Sequence, residues 1–320
     1  MKAYFLEGVK ELSFRDAESP EPGPGEVKLR VNTMGICGSD IEYYLHFQIG
    51  PFIPRGPLVL GHELSGTVAA LGEGVQRPGV GTRVAIDPSI PCRRCTYCRS
   101  GRHNLCEKMR FVGTAATVPH ISGGLGEYVV VPAENCHVVP DHLSWGEAAC
   151  LEPLAVATHA ASRPGSLAGA RVLITGGGTI GQFLALVARA LGAATVAVSD
   201  LQAFLREFAR EQGADIVLDP TDADQLAAAR SQSGGFDLIF EASGAGPAVR
   251  NNLELVDKGG TIVQVGSIAA PVELPANLIM TKELRVLGSF RYGEVYPTAM
   301  SLLASRRVDV RPLISATFAH

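Results

Sequence analysis

The glycine run at residues 176–181, GGGTIG, constrains the fold of this chain more than any other feature of its sequence. The run follows an apolar segment typical of a strand and opens the apolar segment 180–191, which is typical of a helix. Glycine there permits a tight turn and a close backbone approach to a pyrophosphate, whose charge the helix N-terminal amides can meet. This context favours a dinucleotide site over an ordinary glycine-rich turn. The predicted cofactor contacts in the run are Gly176, Gly178, Thr179, Ile180 and Gly181.

Asp200 ends the next apolar strand, nineteen residues after the last glycine of the run. A carboxylate at this point accepts hydrogen bonds from the adenosine ribose hydroxyls and repels a 2′-phosphate. We therefore predict that the chain prefers NAD to NADP. Three later residues complete the predicted cofactor site, namely Ser243, Val265 and Gly266.

The two halves of the chain differ in the pattern of their apolar residues. Up to about residue 140, short strands rich in valine and isoleucine are broken by glycine and proline, which indicates a mostly β domain. After residue 169, apolar strands alternate with helix-length segments, which is typical of a doubly wound parallel sheet. The predicted fold class is therefore α/β. The strands expected in the second half are residues 171–175, 195–199, 216–218, 237–241, 261–265 and 284–287.

Length and composition fit two globular domains and exclude several classes of function. The chain has 320 residues, of which 46 % are hydrophobic and 19 % are charged. Its net charge of −4 provides no basic field for a phosphate backbone, so we predict no nucleic-acid partner. No apolar signal core follows the N-terminus, and polar residues interrupt the apolar segment 180–198. We therefore expect no membrane span and a cytoplasmic location.

Four of the seven cysteines lie within fifteen residues. Their CxxCxxC spacing brings four thiols close enough to surround one ion, and a tetrahedral four-thiolate shell is typical of a structural zinc. Disulfides or chance clustering are the alternatives, and a reducing cytoplasm makes them less favoured. The predicted structural zinc ligands are Cys92, Cys95, Cys98 and Cys106.

A second set of metal-binding residue types is spread along the chain, at Cys37, His62, Glu63 and Glu152. Each of these residues alone is weak evidence for a metal site, because a single cysteine is usually a small core residue and a His-Glu pair is usually a surface pair. In a chain that is also predicted to have a dinucleotide fold, the set is stronger evidence for a catalytic metal site. Cysteine, histidine and glutamate bind zinc, and three protein ligands leave an open catalytic position.

Five segments together resemble the zinc-dependent medium-chain dehydrogenase/reductase family, and within it the polyol dehydrogenase branch. They are GICGSD at 35–40, LGHE at 60–63, the four-cysteine segment, EPLAVA at 152–157 and the glycine run. Three further segments are most similar to the L-idonate 5-dehydrogenases of that branch. These are MRFVGT at 109–114, PHISGG at 119–124 and GSFRY at 288–292.

The resemblance implies the domain organisation. Residues 1–154 would form a GroES-like catalytic domain with both zinc sites, and residues 155–289 a Rossmann NAD-binding domain. Residues 290–320 would return to the catalytic domain. Because family members continue past this point with a further helix and strand, we expect the return segment to be truncated. Relatives are dimers or tetramers, which implies a homo-oligomer.

The resemblance also implies a catalytic zinc held by Cys37, His62 and Glu63, with Glu152 as a further ligand or as a partner of the zinc-bound water. The implied reaction oxidises a secondary alcohol to a ketone and passes the hydride to NAD. Zinc would lower the pKa of the alcohol. Ser39 would accept the proton of the substrate hydroxyl, unless it is instead a helix N-cap.

For the substrate, the resemblance predicts L-idonate, with 5-keto-D-gluconate as product. A polyol of the sorbitol or xylitol type is the alternative, and a non-catalytic zinc-stabilised nucleotide-binding relative is another. An aldonate needs a cation or a set of donors for its carboxylate, and Arg110, His120 and Arg291 are candidates. Tyr43 and Arg291 would hold substrate hydroxyls. Arg110, His120 and Arg291 are each alternatively a surface charge or a domain-packing residue.

Overall fold

The computed structural model describes residues 1–319. The chain divides into two compact units, Met1–Glu152 and the residues from Pro153 onward, called unit 1 and unit 2 below. Unit 1 consists mainly of antiparallel strands, and unit 2 of a parallel sheet with helices between its strands. The predicted α/β class, with a mostly β first half, is confirmed. The domain bounds at residues 154 and 289 and the separate return segment stay predictions.

Unit 1 contains nine strands, which form one five-stranded and two two-stranded antiparallel sheets. The strands are β1 (Lys2–Gly8), β2 (Glu11–Asp16), β3 (Glu26–Gly35), β4 (Glu63–Leu71), β5 (Arg83–Ile86), β6 (Ser89–Ile90), β7 (Arg110–Phe111), β8 (Tyr128–Pro132) and β9 (Cys136–Val138). The order in the five-stranded sheet is β8-β3-β4-β5-β9, while β1 pairs with β2 and β6 with β7.

Helices in unit 1 are short. Single turns of 3-10 helix lie at His103–Leu105 and Ala133–Asn135. The α-helices that begin in this unit are α1 (Gly38–His46), α2 (Thr96–Arg99), α3 (Trp145–Ala149) and α4 (Leu151–Ser162), the last of which continues into unit 2.

The core of unit 1 lies on the central strands β3 and β4. On β3, Val27 and Leu29 are buried and alternate with more exposed residues, because side chains two apart share one face of a strand. They pack with Leu64, Val68 and Val84, and fully burying an aliphatic side chain of this kind contributes about 1.5–3 kcal/mol. This packing fixes the register in which the end of β3 meets the start of β4.

Unit 2 contains a six-stranded parallel sheet. Its strands are β10 (Arg171–Thr175), β11 (Thr195–Ser199), β12 (Ile216–Leu218), β13 (Leu238–Glu241), β14 (Thr261–Gln264) and β15 (Arg285–Gly288). All six predicted strands are confirmed to within one residue at either end. The spatial order is β12-β11-β10-β13-β14-β15, so the chain reverses its direction of winding between β10 and β13. In open α/β sheets the ligand crevice lies at such a switch point, outside the carboxyl ends of the strands.

Helices connect the parallel strands, as a parallel pair requires. Within residues 1–319, no helix has the length and apolar character that a membrane span needs. After β15 the chain forms one helix and then irregular structure with a 3-10 turn at Arg311–Leu313. The helices of unit 2 are α5 (Thr179–Ala190), α6 (Ala203–Glu211), α7 (Ala223–Ser233), α8 (Gly246–Leu255), α9 (Ala276–Thr281) and α10 (Tyr296–Ala304).

Candidate zinc and cofactor sites

The first candidate site lies in unit 1, where β3 ends and β4 begins. Cys37 is the N-cap residue of α1, two residues after the end of β3, while Glu63 begins β4 and His62 directly precedes it. One ligand atom from each of these residues lies within 4.8 Å of the other two. His62 and Glu63 are buried and Cys37 is half-buried. A cysteine, a histidine and a glutamate at this spacing can hold one zinc ion and leave a coordination position open.

Two glycines allow the three side chains to converge. Gly35 pairs with Glu63 across the β3–β4 ladder, and a Cβ atom at Gly35 would lie 2.3 Å from Glu63 Oε2. Gly61 has φ +101°, and a Cβ atom there would lie 1.9 Å from Met34 Sδ. Any larger residue at either position would displace the neighbouring side chain, so the site depends on glycine at both.

Asp40 supports this site and is not among the residues predicted from the sequence. Its Oδ2 accepts a hydrogen bond of 3.0 Å from the Cys37 backbone N–H, and its carboxylate also accepts one from the Gly61 N–H. Its Oδ1 lies 3.7 Å from His62 Nδ1. The buried carboxylate therefore binds the backbone of Cys37 and of Gly61, the residue before His62, and it also faces the His62 ring. An acidic residue three positions after the N-cap was the available signal.

Burial and like charge dominate the electrostatics of this site. Burial raises the pKa of the Cys37 thiol, and the neighbouring Glu63 and Glu152 carboxylates raise it further. Burial and the charge of Asp40 raise the pKa of Glu63 to about 7. Burial also raises the pKa of Asp40 to about 7. A divalent cation would offset the clustered negative charge and favour the deprotonated forms, so the donor set fits zinc.

Glu152 and Ser39 flank the three-residue set. Glu152 is buried near the start of α4 and acts electrostatically on Cys37, but it is not a member of the set found among residues 1–319. Its predicted role as a ligand or as a partner of zinc-bound water stays a prediction. Ser39 is not the N-cap of α1, because Cys37 occupies that position. The N–H and hydroxyl of Ser39 instead interact with the Cys37 sulfur.

The residues predicted to bind substrate have different surroundings. Tyr43 is buried in an apolar cluster, and its hydroxyl accepts a 3.3 Å hydrogen bond from Ala115 N–H. His120 Nε2 accepts from Arg55 N–H at 2.8 Å, and its Nδ1 is 2.7 Å from the Thr117 carbonyl oxygen. Both ring nitrogens of His120 are therefore used by loop backbone. Carboxylate binding by His120 stays a prediction and would require one of these bonds to be exchanged.

The two predicted arginines lie in different units. Arg110 is exposed on β7, and the next residue, Phe111, places its ring edge-on to His62 with the ring centroids 5.8 Å apart. Arg291 lies in unit 2, has φ +50° and stacks over the Phe290 ring at 5.0 Å. Arg110 is thus one residue away from a direct neighbour of the first candidate site.

The four cysteines of the second candidate metal site converge in unit 1, as their spacing predicts. Their sulfur atoms all lie within 4.8 Å of one another, and none of the four forms a disulfide. Cys106 Sγ accepts hydrogen bonds from Cys92 N–H at 3.2 Å and Lys108 N–H at 3.3 Å. Backbone N–H groups of Arg94 and Cys95 lower the pKa of Cys92 to about 6. Amide donors aimed at sulfur favour the thiolate form that zinc binds, so this set also fits the metal.

The glycine run in unit 2 has the geometry of a dinucleotide loop. Gly176 has φ +99°, and a Cβ atom on Gly181 would lie 1.8 Å from the Gly176 carbonyl oxygen. A Cβ atom on Gly178, at the N-cap of α5, would meet no atom within 4 Å. The first glycine thus makes the turn, the third allows close packing, and the second faces open space. These are the three roles that a pyrophosphate-binding loop requires of its glycines, so the loop fits a dinucleotide.

Asp200 lies beside this loop, at the carboxyl end of β11. Its Oδ2 accepts a hydrogen bond of 2.8 Å from Gly177 N–H. Arg206 Nη1 donates to the Asp200 carbonyl oxygen at 2.7 Å and lies 3.1 Å from Asp219 Oδ2. A cationic side chain, absent from the residues predicted from the sequence, therefore lies beside Asp200 and has an acidic partner of its own.

Comparisons with known proteins find a matching family for each half of the chain. Residues 23–141 match the family model of the alcohol dehydrogenase GroES-like domain, and residues 179–305 match that of the zinc-binding dehydrogenases. D-xylulose reductase A of Aspergillus oryzae is 38% identical over 321 residues, which cover 98% of this chain and 88% of that protein.

Solved structures give the same result. L-idonate 5-dehydrogenase from Escherichia coli is similar with a TM-score of 0.87 and 35% identity, covering 98% of this chain and 89% of that one. A zinc-binding dehydrogenase of provisional assignment from Sinorhizobium meliloti, solved with NADP, has a TM-score of 0.88 and 35% identity over 100% of this chain and 96% of its own. The expected pairing of a GroES-like domain with a Rossmann sheet is confirmed.

Proposed function

The chain belongs to the zinc-binding alcohol dehydrogenase family, and from that premise we propose that it oxidises a secondary alcohol of a neutral polyol to a ketone, with hydride transfer to NAD. The observation that carries the proposal is the convergence of half-buried Cys37 with buried His62 and Glu63. The similarity to D-xylulose reductase favours a polyol of the xylitol type. In the reverse direction NADH would supply the hydride, and a proton taken up at the same site would complete reduction of the corresponding ketose.

The proposed roles at the first site follow from the residues themselves. Cys37, His62 and Glu63 would hold the catalytic zinc, while Asp40 fixes the backbone before two of these ligands and faces the His62 ring. Zinc, when bound, supplies a Lewis acid that favours loss of the alcohol proton. The second metal set, at the four cysteines, would hold a structural zinc, because its thiolates would complete a tetrahedral shell.

Ser39 and Glu152 are proposed to handle the proton and water at this site. The Ser39 hydroxyl interacts with the Cys37 sulfur, so it lies beside a proposed zinc ligand. From there Ser39 Oγ would accept the proton of the substrate hydroxyl while its own hydroxyl proton passes to solvent water. Glu152 is buried and acts electrostatically on Cys37, which suits a group that holds the water displaced by substrate.

The cofactor is proposed to bind at the carboxyl ends of the strands in unit 2. Gly176, Gly178, Thr179, Ile180 and Gly181 would meet its pyrophosphate, and Ser243, Val265 and Gly266 would contact it further along the sheet. We propose NAD over NADP because the Asp200 carboxylate would repel a 2′-phosphate. Arg206 is a cationic group nearby, but it is paired with Asp219.

L-idonate is the second candidate substrate, because it carries a carboxylate that an arginine could bind. Arg110 is exposed and adjoins Phe111, whose ring meets His62 edge-on. The similarity to L-idonate 5-dehydrogenase favours this alternative as well. Because His120 already binds backbone through both ring nitrogens, Arg110 is the better candidate for the carboxylate. A homo-oligomeric state and a cytoplasmic location stay predictions.

The test is NADH formation by the zinc-loaded protein on xylitol, sorbitol, L-idonate, D-gluconate and L-threonine, repeated with NADP. We expect the highest kcat/KM on xylitol or sorbitol, and a lower kcat/KM with NADP than with NAD. A preference for L-idonate that Arg110→Ala removes would establish the second candidate instead. Absence of turnover on all five, with zinc and NAD both bound, would support a non-catalytic nucleotide-binding protein.

A further inference from the structure

Glu241 is a fully buried carboxylate in the middle of the parallel sheet. It ends β13, its exposed fraction is 0 %, and it pairs in register with Thr175 at the end of β10. The chain changes its winding direction between these two strands, so Glu241 stands at the switch point, where the ligand crevice of such sheets lies. Carboxylates are almost never fully buried unless they are paired, so this one needs an explanation.

Four uncharged donors converge on the carboxylate, three from the loop after β13 and one from the last residue of β14. Oε1 accepts from Ser243 N–H at 2.9 Å and from Gly244 N–H at 3.0 Å, and the Ser243 hydroxyl donates to it as well. Oε2 accepts from Gln264 Nε2 at 2.6 Å. All four groups act as donors here, so both side-chain oxygens of residue 241 must act as acceptors. A carboxylate meets this requirement.

The same residue joins the loops after β13 and β14. The Glu241 backbone carbonyl accepts from Val265 N–H and Gly266 N–H, each at 2.8 Å. Gln264, which donates to the carboxylate, also donates through Nε2 to the Gly266 carbonyl oxygen at 2.8 Å. Glu241 therefore contacts directly all three residues predicted to complete the cofactor site, Ser243, Val265 and Gly266.

The loops are packed so tightly that their positions depend on one another. A Cβ atom on Gly176 would lie 2.6 Å from Ser243 N, and one on Gly266 would lie 2.4 Å from Gly244 N. The glycine run after β10, the loop after β13 and the loop after β14 thus touch through backbone. A substitution at Glu241 would therefore act on the loops after β13 and β14 together.

We propose that Glu241 is a positioning residue for the nicotinamide half of the cofactor, an inference that rests on the proposed function. A dinucleotide binds across the switch point, with one mononucleotide on each half of the sheet. Asp200 at the end of β11 marks the adenosine half, so the half formed by β13, β14 and β15 receives the nicotinamide. Glu241 holds the loops after β13 and β14 in fixed positions relative to each other and does not need to contact the cofactor.

The test compares NADH with ADP-ribose, which shares the adenosine and pyrophosphate but lacks nicotinamide. Glu241→Gln keeps the size and shape of the side chain. It replaces one accepting oxygen by an amide NH₂ group, which would then face donors that bond to the carboxylate in the wild type. Turning the Gln264 amide over would relieve one clash and bring its oxygen against the Gly266 carbonyl. We expect the Kd of NADH to rise roughly tenfold or more and that of ADP-ribose to change by less than about threefold, as for buried donors left unpaired on one side of a site.

Two further variants keep the test decisive. Gln264→Leu leaves the carboxylate in place and removes the bridge to Gly266, so it should raise the NADH Kd selectively even if Glu241→Gln fails to fold. Asp257→Asn is the matched control, because Asp257 is a partly buried carboxylate bound to Arg171 and Arg230 before the amino end of β14. It should alter thermal stability and leave the ratio of the two dissociation constants unchanged.

The outcomes separate this inference from the function on which it rests. If the wild-type chain binds NADH and ADP-ribose but Glu241→Gln and Gln264→Leu weaken both ligands equally, or only lower the melting temperature, Glu241 is merely structural and the inference is wrong. If the wild-type chain binds neither ligand, nor NADPH, the proposed cofactor site itself is wrong and the inference is overturned with it.

Discussion

Cys37 is the residue on which the proposed chemistry depends most directly. It is half-buried, and its sulfur lies within 4.8 Å of the ligand atoms of His62 and Glu63. Cys37→Ala removes one of three proposed zinc ligands, so turnover should be abolished, while NADH binding in unit 2 should survive. Steady-state kinetics and NADH fluorescence titration measure the two effects. Cys136→Ala, which removes a partly buried thiol outside both metal sets, is the control and should keep its activity.

Asp40 acts through the residues around it. Its carboxylate accepts from the Cys37 and Gly61 N–H groups and faces His62, so Asp40→Asn would place an amide N–H against one of these partners. Removing an outer-shell partner of this kind costs about 10–100-fold in metal affinity. Competition with a chelator, followed by metal analysis, should show one of the two proposed zinc ions released more easily. Retention equal to that of Asp141→Asn, which changes an exposed carboxylate, would contradict the role.

At the scale of a single element, the turn from β10 into α5 contains a glycine proposed to bind, Gly178 at the N-cap, and a structural glycine, Gly181 in the first turn of the helix. Gly181→Ala would bring a Cβ atom to 1.8 Å from the Gly176 carbonyl oxygen, whereas Gly178→Ala would extend into open space. We expect Gly181→Ala to lower the free energy of unfolding by about 1–3 kcal/mol through overpacking. Gly178→Ala should leave stability within about 0.5 kcal/mol and weaken NADH binding, because the added methyl group would occupy the pyrophosphate position.

Urea denaturation and NADH titration of both variants measure these effects. The two substitutions add the same methyl group three residues apart, so each is the control for the other. Equal losses of stability would show that both glycines are only structural. Unchanged NADH affinity in Gly178→Ala would place the pyrophosphate elsewhere.

Across the whole molecule, two partly buried histidines link stability to pH. Burial lowers the pKa of His137 on β9 and of His159 on α4 below the ordinary value of 6.5, and Arg163 lowers that of His159 further. The unfolded chain therefore takes up these protons before the folded chain does. Their contribution to stability is complete above about pH 6.5 and is lost as the pH falls through the folded pKa values.

The double variant His137→Gln/His159→Gln should lose stability less steeply than the wild type between pH 7.5 and pH 5.5. Urea midpoints measured with zinc in excess at several pH values test this, because loss of metal then affects both proteins alike. His142→Gln, at an exposed histidine, is the control and should follow the wild type. A double variant whose midpoint falls as steeply as that of the wild type would show that other groups cause the pH dependence.

The sequence by itself determined those parts of the molecule that local pattern specifies. The six parallel strands, the glycine loop and the four-cysteine cluster are each encoded by neighbouring residues, through periodicity, turn geometry or ligand spacing. Cys37, His62 and Glu63 were found because each lies in a short motif of a recognised family. Even so, only the β3–β4 register places them at one point.

Tertiary structure alone decided which polar groups meet across long stretches of chain. His120 binds backbone at Arg55, and Glu152 lies outside the three-residue set found within the described part of the chain, neither of which a local motif can specify. The sequence contains only weak indications of Asp40 and Glu241. Asp40 is an acidic residue just after a helix start, and Glu241 is a charged residue at the end of the apolar strand LIFE. Their partners come from Gly61 and Gln264, and such contacts depend on how sheets bring distant loops together, which is a property of packing.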